Sequence, residues 1–381
     1  TPLLYSYLLI SKNNKHSLYI KESAISEKLK REIQTLININ NIENIGLIFN
    51  NINLSESIGL DFNFTTYYFL DLLDKRKINY KNLNNPCILL KAIKNEIEQD
   101  GAMKANIRDG LSVTKYIYWL KNKMDINNNN EISVAKHLKS LRYENKLFHS
   151  LSFDTISAIG KNAALPHYRV TEDSNTNFSN NKIYLVDSGA QYYDGTTDIT
   201  RTIIIGKASL EQKEMFTRVL KGHISLSNHI FKKGTKGTDI DYLARESLHE
   251  IGCDYDHGTG HGIGSFLSVH EAPQRIAKKT MFESVELIPG MILSNEPGYY
   301  KLNEYGIRIE NLILVKEDIN NNLYFENISW CPIDKDLINR DLLNEIEIKW
   351  INKYHLKVYD IYKKELSIEE LDWLKSATSP I

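Results

Sequence analysis

The stretch HGTGHGIGSFLSVHE, His257 to Glu271, constrains the chain more than any other. Its three histidines cannot share one helix face, because Gly258, Gly260, Gly262 and Gly264 each remove about 1 kcal/mol of helix propensity. The segment therefore predicts extended backbone. Glycine inside such a pattern lets a second backbone or a ligand come close, and imidazoles held beside open space attract a metal or an anion. A loop with incidental histidines is the alternative, and acidic partners elsewhere in the chain decide between the two.

At 381 residues the chain exceeds one ordinary core and predicts two domains. A formal net charge of -1 with no basic block argues against nucleic acid or an anionic membrane as main partner. No apolar run approaches the length of a membrane span, and TPLLYSYLLI lacks the charged lead and cleavage site of a signal peptide. Cys87, Cys253 and Cys331 are odd in number and far apart, which speaks against a disulfide framework and for a reducing, cytoplasmic setting. The chain starts at Thr1 and not Met, which leaves any upstream targeting signal open.

Residues 1–86 read as a small α/β unit. LLYSYLLIS and SLYIK predict strands around a turn at Asn13 and Asn14, SEKLKREIQTLI a helix, IGLIF a buried strand and TTYYFLDLLDKRK a second helix. From Ile88 to Lys123 the three-and-four spacing of apolar residues predicts long helices. Ser133 is the expected N-cap of the next helix, up to Phe148. Strands are expected in FDTISAIG and on through His167, then in IYLVDSGAQYYDGTTDITRTIII. Helices follow at 210–230 and 238–251, then a hairpin from Met291 to Val315. The tail after Leu337 reads as helical, with Trp350, Tyr354, Tyr359 and Trp373 as core or interface aromatics.

Two pairs of acids sit on the hairpins. Asp187 and Asp198 face each other if the loop runs from Ala190 to Gly195, whereas a tight turn at Asp194 and Gly195 does not oppose them. A pairing centred on Asn303 places Glu296 opposite Glu310, with Arg308 on the same face as Glu310. Opposed acids repel and are costly to bury without a cation between them. One His with four carboxylates is an oxygen-rich set, suited to Mn²⁺ or a similar ion rather than to structural zinc. Five side chains exceed what one ion takes while leaving room for water and substrate, and two ions about 3.5 to 4 Å apart, bridged by carboxylates and a hydroxide, use them all. Asp194, Glu283 and Glu286 read as ordinary surface charges.

Taken together, VDSGAQYYDGTTDITRT, HGTGHGIGSFLSVHE, SNEPGYY and GIRIEN resemble, in order, the motifs of the pita-bread metallopeptidases, most closely the Xaa-Pro aminopeptidases. The resemblance runs from about Ile88 to the end and includes WINKYH, which is similar to the C-terminal extension of the eukaryotic cytosolic type. It implies an α+β pita-bread catalytic domain over 87–381 with a helical C-terminal extension. Residues 1–86 look like the second half of a creatinase-like middle domain.

The same resemblance implies a residue-by-residue site. Asp187, Asp198, His261, Glu296 and Glu310 become the ligands of two divalent ions, with Asp198 and Glu310 bridging. His167, His257 and His270 become substrate-side, catalytic histidines, and Arg308 and Tyr300 line the pocket. The implied reaction is hydrolysis of the bond between the first residue and a proline in second position, with the bridging hydroxide as nucleophile and Glu296 as general base and then acid. The implied partners are such peptides and a second copy in a homodimer. The alternatives are a prolidase acting on Xaa-Pro dipeptides, or a non-catalytic binding protein of the same fold. His16, His137, His149, His223, His229, His249 and His355 are expected to face solvent or pack in cores.

Overall fold

The computed structural model describes residues 3–12, 15–279 and 284–381. The expected turn at Asn13 and Asn14 and the surface charge of Glu283 lie outside these residues. The chain divides between Ile88 and Leu89 into two compact units.

In the N-terminal unit β1 (Ser6–Leu9) runs antiparallel to β2 (His16–Ile20), which runs parallel to β3 (Ile37–Asn41). Between the last two lies α1 (Glu27–Ile33), capped by the Ser26 side chain, which accepts from Leu29 N. A parallel pair, β4 (Ser57–Leu60) and β5 (Asn79–Asn82), is joined through α2 (Tyr67–Arg76). Tyr19, Ile48, Phe49, Phe69 and Leu73 form the core.

The buried strand expected at Ile45–Phe49 is instead the end of a 3₁₀ helix, Ile42–Leu47, and the turn that follows it. Ile42, Ile45 and Ile48 recur every third residue and so align on a three-residue turn. The strand is the preceding ININN, where isoleucine alternates with asparagine at period two. The first helix accordingly stops at Ile33 and does not reach Ile37.

Helix α3 (Pro86–Ala92) contains the division between the units. The C-terminal unit then carries α4 (Glu96–Asn122), opened by a reciprocal box in which Asn95 Oδ1 accepts from Glu98 N and Glu98 Oε2 from Asn95 N, both 3.0 Å. Helix α5 (Glu131–Tyr143) begins three residues before the sequence predicts. Asn130 is its N-cap, and Ser133 is the third helical residue, accepting from Asn130 N at 3.0 Å. Ser133 is thus the far half of a capping box that Asn130 opens.

Strands β6 (Phe148–Leu151), β9 (Ala190–Tyr192) and β10 (Gly195–Thr196) form one antiparallel sheet. β7 (Ile156–Ile159), β8 (Lys182–Ser188) and β11 (Ile199–Ile205) form another. The strand expected to continue through His167 ends at Ile159, where Gly160 takes φ +58° and a short 3₁₀ turn follows, so His167 sits in a loop.

Next come α6 (Leu210–Ser227), β12 (Ile230–Phe231), α7 (Gly237–Ile240) and α8 (Tyr242–His249). The last strands are β13 (Gly260–Gly262), β14 (Glu271–Ile276), β15 (Ile292–Asn295), β16 (Gly298–Lys301), β17 (Tyr305–Arg308), β18 (Asn311–Glu317) and β19 (Leu323–Asn327). Five of them join β12 in a sheet of order β12-β19-β18-β15-β13-β14, and β16 pairs with β17. The tail forms α9 (Glu345–Tyr362) and α10 (Ile368–Ala377), which pack on the core around α6.

Helices beside largely antiparallel sheets make the unit α+β, as expected. Tyr354 is a core residue, stacked on Trp330 and Trp350 at 5.4 and 5.2 Å between centroids. Its hydroxyl accepts from Arg201 Nη2 at 2.8 Å, and Arg201 Nη1 donates to Glu310 O at 2.7 Å, so the C-terminal tail holds the backbone of one of the acids.

Candidate metal centre

The glycine-histidine stretch supplies the inner strand beside the β14 edge of the sheet. Between His257 and His270 the strand is Gly260–Gly262, shorter than the alternating glycines predict, and it lies between β14 and β15. A Cβ on Gly260 would stand 2.1 Å from Ser294 O, and one on Gly262 2.2 Å from Glu271 O. These glycines admit neighbouring backbones, which carry His261 into the centre of the unit.

The first acid pair differs from its expected register. Asp187 lies opposite Thr200, and Gly195 pairs with Tyr192, so the turn is the tight two-residue Tyr193–Asp194. Moving the centre of a hairpin by one residue moves every pair by two. Asp198 therefore becomes the diagonal neighbour of Asp187 and stays on its face of the ladder.

The second pair follows the expected register. Asn295 lies opposite Asn311 and Gly298 opposite Arg308, both centred on Asn303, which takes φ +62° in the turn. Glu296 and Glu310 face each other in the gap between the two ladders. Buried His223 braces that gap: its Nδ1 donates to Asn295 O at 3.1 Å, and its Nε2 accepts from Asn311 Nδ2 at 3.3 Å.

Ligand atoms of Asp198, His261 and Glu310 lie within 4.8 Å of one another. His261 Nε2 is 3.5 Å from Asp198 Oδ2 and 3.3 Å from Glu296 Oε1. Asp187 lines the same cavity, of about 770 Å³, and its Oδ1 is buried with no hydrogen-bond partner among the described residues. Arg308 supplies the buried positive charge. Its Nη2 donates to Asp187 Oδ2 at 2.6 Å, its Nη1 to Tyr300 OH at 2.7 Å and its Nε to Thr200 Oγ1 at 3.2 Å. Thr200 Oγ1 in turn donates to Glu310 Oε2 at 2.7 Å, and Ser294 Oγ donates to Glu296 Oε1 at 3.2 Å.

One guanidinium among four carboxylates leaves the acids short of positive charge. Burial, followed by the other carboxylates, pushes Asp198 and Glu310 well above the ordinary range, and burial lifts Glu296 to about 8. Burial also lowers His261 to about 3, so its ring is neutral. With the proton on Nδ1, which sits 3.1 Å from Gly262 O, the Nε2 lone pair points at two carboxylate oxygens. Lone pairs so placed repel unless a cation lies between them. That arrangement, the orphaned Asp187 Oδ1 and the oxygen-rich donor set fit divalent metal.

His257 Nδ1 is 2.8 Å from Gly258 O and Nε2 is 2.8 Å from Tyr300 OH, so Arg308, Tyr300 and His257 form one hydrogen-bonded chain. Burial lowers His257 to about 3. His270 stacks edge-on against His261, centroids 4.1 Å apart, and His167 lines the same cavity. Nine of the ten residues predicted for the site line the cavity. Tyr300 stands behind it, on Arg308 and His257.

Sequence reasoning missed Arg245 and Asp241, four apart at the start of α8. Arg245 Nε donates to Asp241 Oδ2 at 2.7 Å, Nη1 to Tyr255 O at 2.6 Å and Nη2 to His257 O at 2.9 Å. Asp241 Oδ1 accepts from Thr259 Oγ1 at 2.5 Å, and Thr259 O accepts from Glu296 N at 2.8 Å. The i,i+4 Asp-Arg pair just ahead of HGTGHG was the available signal, but on a helix it looks like a surface ion pair. Arg245→Lys keeps the charge and loses the fork. We expect Mn²⁺ affinity by calorimetry to fall about tenfold or more, as for other groups that orient ligands. Unchanged affinity would show the fork to be dispensable.

Residues 101–317 match metallopeptidase family M24, residues 321–381 the C-terminal region of that peptidase and residues 1–98 a creatinase/prolidase N-terminal domain. Aminopeptidase P1 of Arabidopsis thaliana is 42% identical over 325 residues, covering 78% of this chain and 50% of the plant protein. A probable Xaa-Pro aminopeptidase P of Laccaria bicolor is 42% identical over 315 residues, covering 80% of this chain and 49% of the fungal one. The chain thus spans about half the length of these curated relatives.

Among solved structures, the X-prolyl aminopeptidase of Caenorhabditis elegans, described as a cytosolic enzyme with a di-nuclear active site, superposes with a TM-score of 0.90 at 32% identity. The match covers 100% of this chain and 64% of that one. The Xaa-Pro dipeptidase of Bacillus anthracis gives 0.70 at 26% identity, covering 88% and 89%. The fold is the pita-bread fold, and the chain belongs to metallopeptidase family M24.

Proposed function

We propose that this chain carries the catalytic part of a metalloaminopeptidase that releases the first residue of peptides with proline in second position. The observation that carries the reading is the gathering of Asp198, His261 and Glu310 within 4.8 Å, with Asp187 and Glu296 on the same cavity wall. The names of the relatives support the substrate class. We read residues 87–381 as the catalytic domain and 1–86 as part of a creatinase-like domain.

Asp187, Asp198, His261, Glu296 and Glu310 would hold two divalent ions, with Mn²⁺ best matched to the donor set. When bound, such ions polarise a carbonyl oxygen and make water acidic enough to ionise near neutrality. Glu296 takes the proton of the attacking water on a carboxylate oxygen and passes it to the prolyl nitrogen as the bond breaks. His270 and His167 hydrogen-bond the scissile carbonyl region. His257, fixed through Tyr300 to Arg308, keeps the wall between them in place. The substrate amine lies on the Asp187 side of the cavity.

A prolidase reading is the second candidate. The match of 321–381 to the C-terminal region and the 42% identity to proteins named as aminopeptidases favour the longer substrates. A homodimer in the cytoplasm completes the proposal, in line with the description of the nematode enzyme as cytosolic. Among the described residues no helix is long and apolar enough to cross a membrane.

The test is a Mn²⁺ titration of Xaa-Pro-Yaa hydrolysis beside an Xaa-Pro dipeptide. Release of the first residue from the tripeptide, saturating near two ions per chain and exceeding dipeptide cleavage at least tenfold, is expected. Preferential dipeptide cleavage would move the assignment to prolidase.

A further inference from the structure

A second groove, of about 570 Å³, opens beside the metal cavity and shares Asp154 and Arg169 with it. Its floor is apolar, from Ile132, Leu151 and Val170. Beyond the shared pair its wall is α5, which presents Lys136 and Lys139 three residues apart and hence on one face. Among the described residues the side chains of Lys136 and Arg169 make no ion pair or hydrogen bond, and Lys139 lies 5.7 Å over the Tyr143 ring without an acidic partner. Two carboxylates, Asp154 at the junction and Glu172, also face the groove, so cations exceed acids by one and α5 contributes cations only.

A peptide cut next to its second residue must lead the rest of its chain out of the metal cavity. The leaving part begins at the proline nitrogen, which the proposed mechanism sets against Glu296 and the histidine wall. His167 and Arg169 belong to the loop that forms this side of the cavity, and Arg169 is where the two spaces join. An apolar floor with unpaired cations along one edge suits an extended segment carrying a carboxylate.

We propose that this groove binds the part of the peptide substrate downstream of its proline and selects an acidic side chain or the terminal carboxylate through Lys136 and Lys139. The inference rests on the peptidase reading and gives it a preference for longer, acidic substrates. Arg169 serves as the hinge between the two spaces. The lysines touch nothing in the metal cavity, so they act on binding of the distal segment alone.

The experiment uses the full chain and peptides Ala-Pro-(Ala)n-Glu-Ala-amide with n from 0 to 4, each beside its Lys-for-Glu counterpart. Each extended residue adds about 3.3 to 3.6 Å of reach, so one length should show the preference first. At that length we expect about fivefold lower KM for the acidic peptide with kcat unchanged, the size of one solvent-exposed ion pair. In K136E/K139E the preference should reverse, while cleavage of Ala-Pro-Ala-amide, which carries neither an acidic side chain nor a terminal carboxylate, stays as in the parent chain.

Binding of the product-like peptides Pro-(Ala)n-Glu-Ala-amide and Pro-(Ala)n-Lys-Ala-amide, followed by calorimetry, needs no turnover. Cleavage without charge preference, or a preference unchanged in K136E/K139E, overturns the groove. Charge-selective binding that depends on the lysines, with no Xaa-Pro cleavage, upholds the groove as a peptide site and counts against the peptidase reading.

Discussion

Replacing Glu296 with Gln should lower kcat by about two to four orders of magnitude at saturating Mn²⁺, the range for loss of a positioned proton carrier. Gln is isosteric and retains an amide oxygen that can accept from Ser294 Oγ, now 3.2 Å from Oε1. The fold and the partial metal site should survive. What disappears is the carboxylate oxygen that takes the proton of the attacking water. Glu310→Gln and Asp198→Asn should differ in kind. Both residues are central to the three-ligand cluster, so their loss should act through metal occupancy and be partly restored by higher Mn²⁺. The separating measurement is kcat against metal concentration for the three variants. A Glu296→Gln chain that keeps near-parent kcat once metal is saturating would remove the proton-carrier role.

How much of the centre was legible from residues alone depended on how its hairpins turn. The Glu296–Glu310 pair was readable because a loop centred on Asn303 is long enough to fix the register, and asparagine tolerates the left-handed conformation found there. The Asp187–Asp198 pair was misplaced by two positions because YYDG offers several turn centres, and only the fold selects Tyr193–Asp194. The period-two rule keeps face through such a slip, so both acids still reached the cavity.

In the N-terminal unit the hydrophobic run IGLIF outweighed a quieter alternation in ININN, and a three-residue period passed for a strand. The Arg245–Asp241 clamp was invisible for a different reason. Its partners are backbone carbonyls of residues 255 and 257, and their convergence on one guanidinium depends on how the loop is bent. Side-chain patterns report faces and periods, whereas carbonyls that meet a buried fork leave no trace in composition.

Removing divalent metal should make the stability of this protein fall as pH rises from 7 to 9. With no cation present Glu296 titrates near 8, and Asp198 and Glu310 are also raised far above their unfolded values. Between the unfolded and folded values the folded chain holds more protons than the unfolded one, so unfolding free energy declines with pH. The contribution is complete below about pH 4 and is lost as pH climbs through the folded values.

The buried histidines act with opposite sign. His223, His257, His261 and His355 are lowered to about 3, so stability rises with pH from there to about 6.5 and is indifferent above. The window from 7 to 9 therefore isolates the acids. At about 1.4 kcal/mol per unit for each group that stays protonated only when folded, a loss of a few kcal/mol is expected. A few degrees of Tm per kcal/mol is usual for a large domain, which gives a drop on the order of 10 °C. Bound cations replace those protons, so the Mn²⁺-loaded protein should show a flat profile and a higher Tm, and loading at pH 7 should release protons, seen as heats that vary with buffer ionisation enthalpy. Subtracting the loaded from the stripped profile cancels groups far from the centre. A stripped chain whose Tm holds or rises between pH 7 and 9 would mean that the acids are not forced together without metal, and with that the case for a cation-holding cluster would fail.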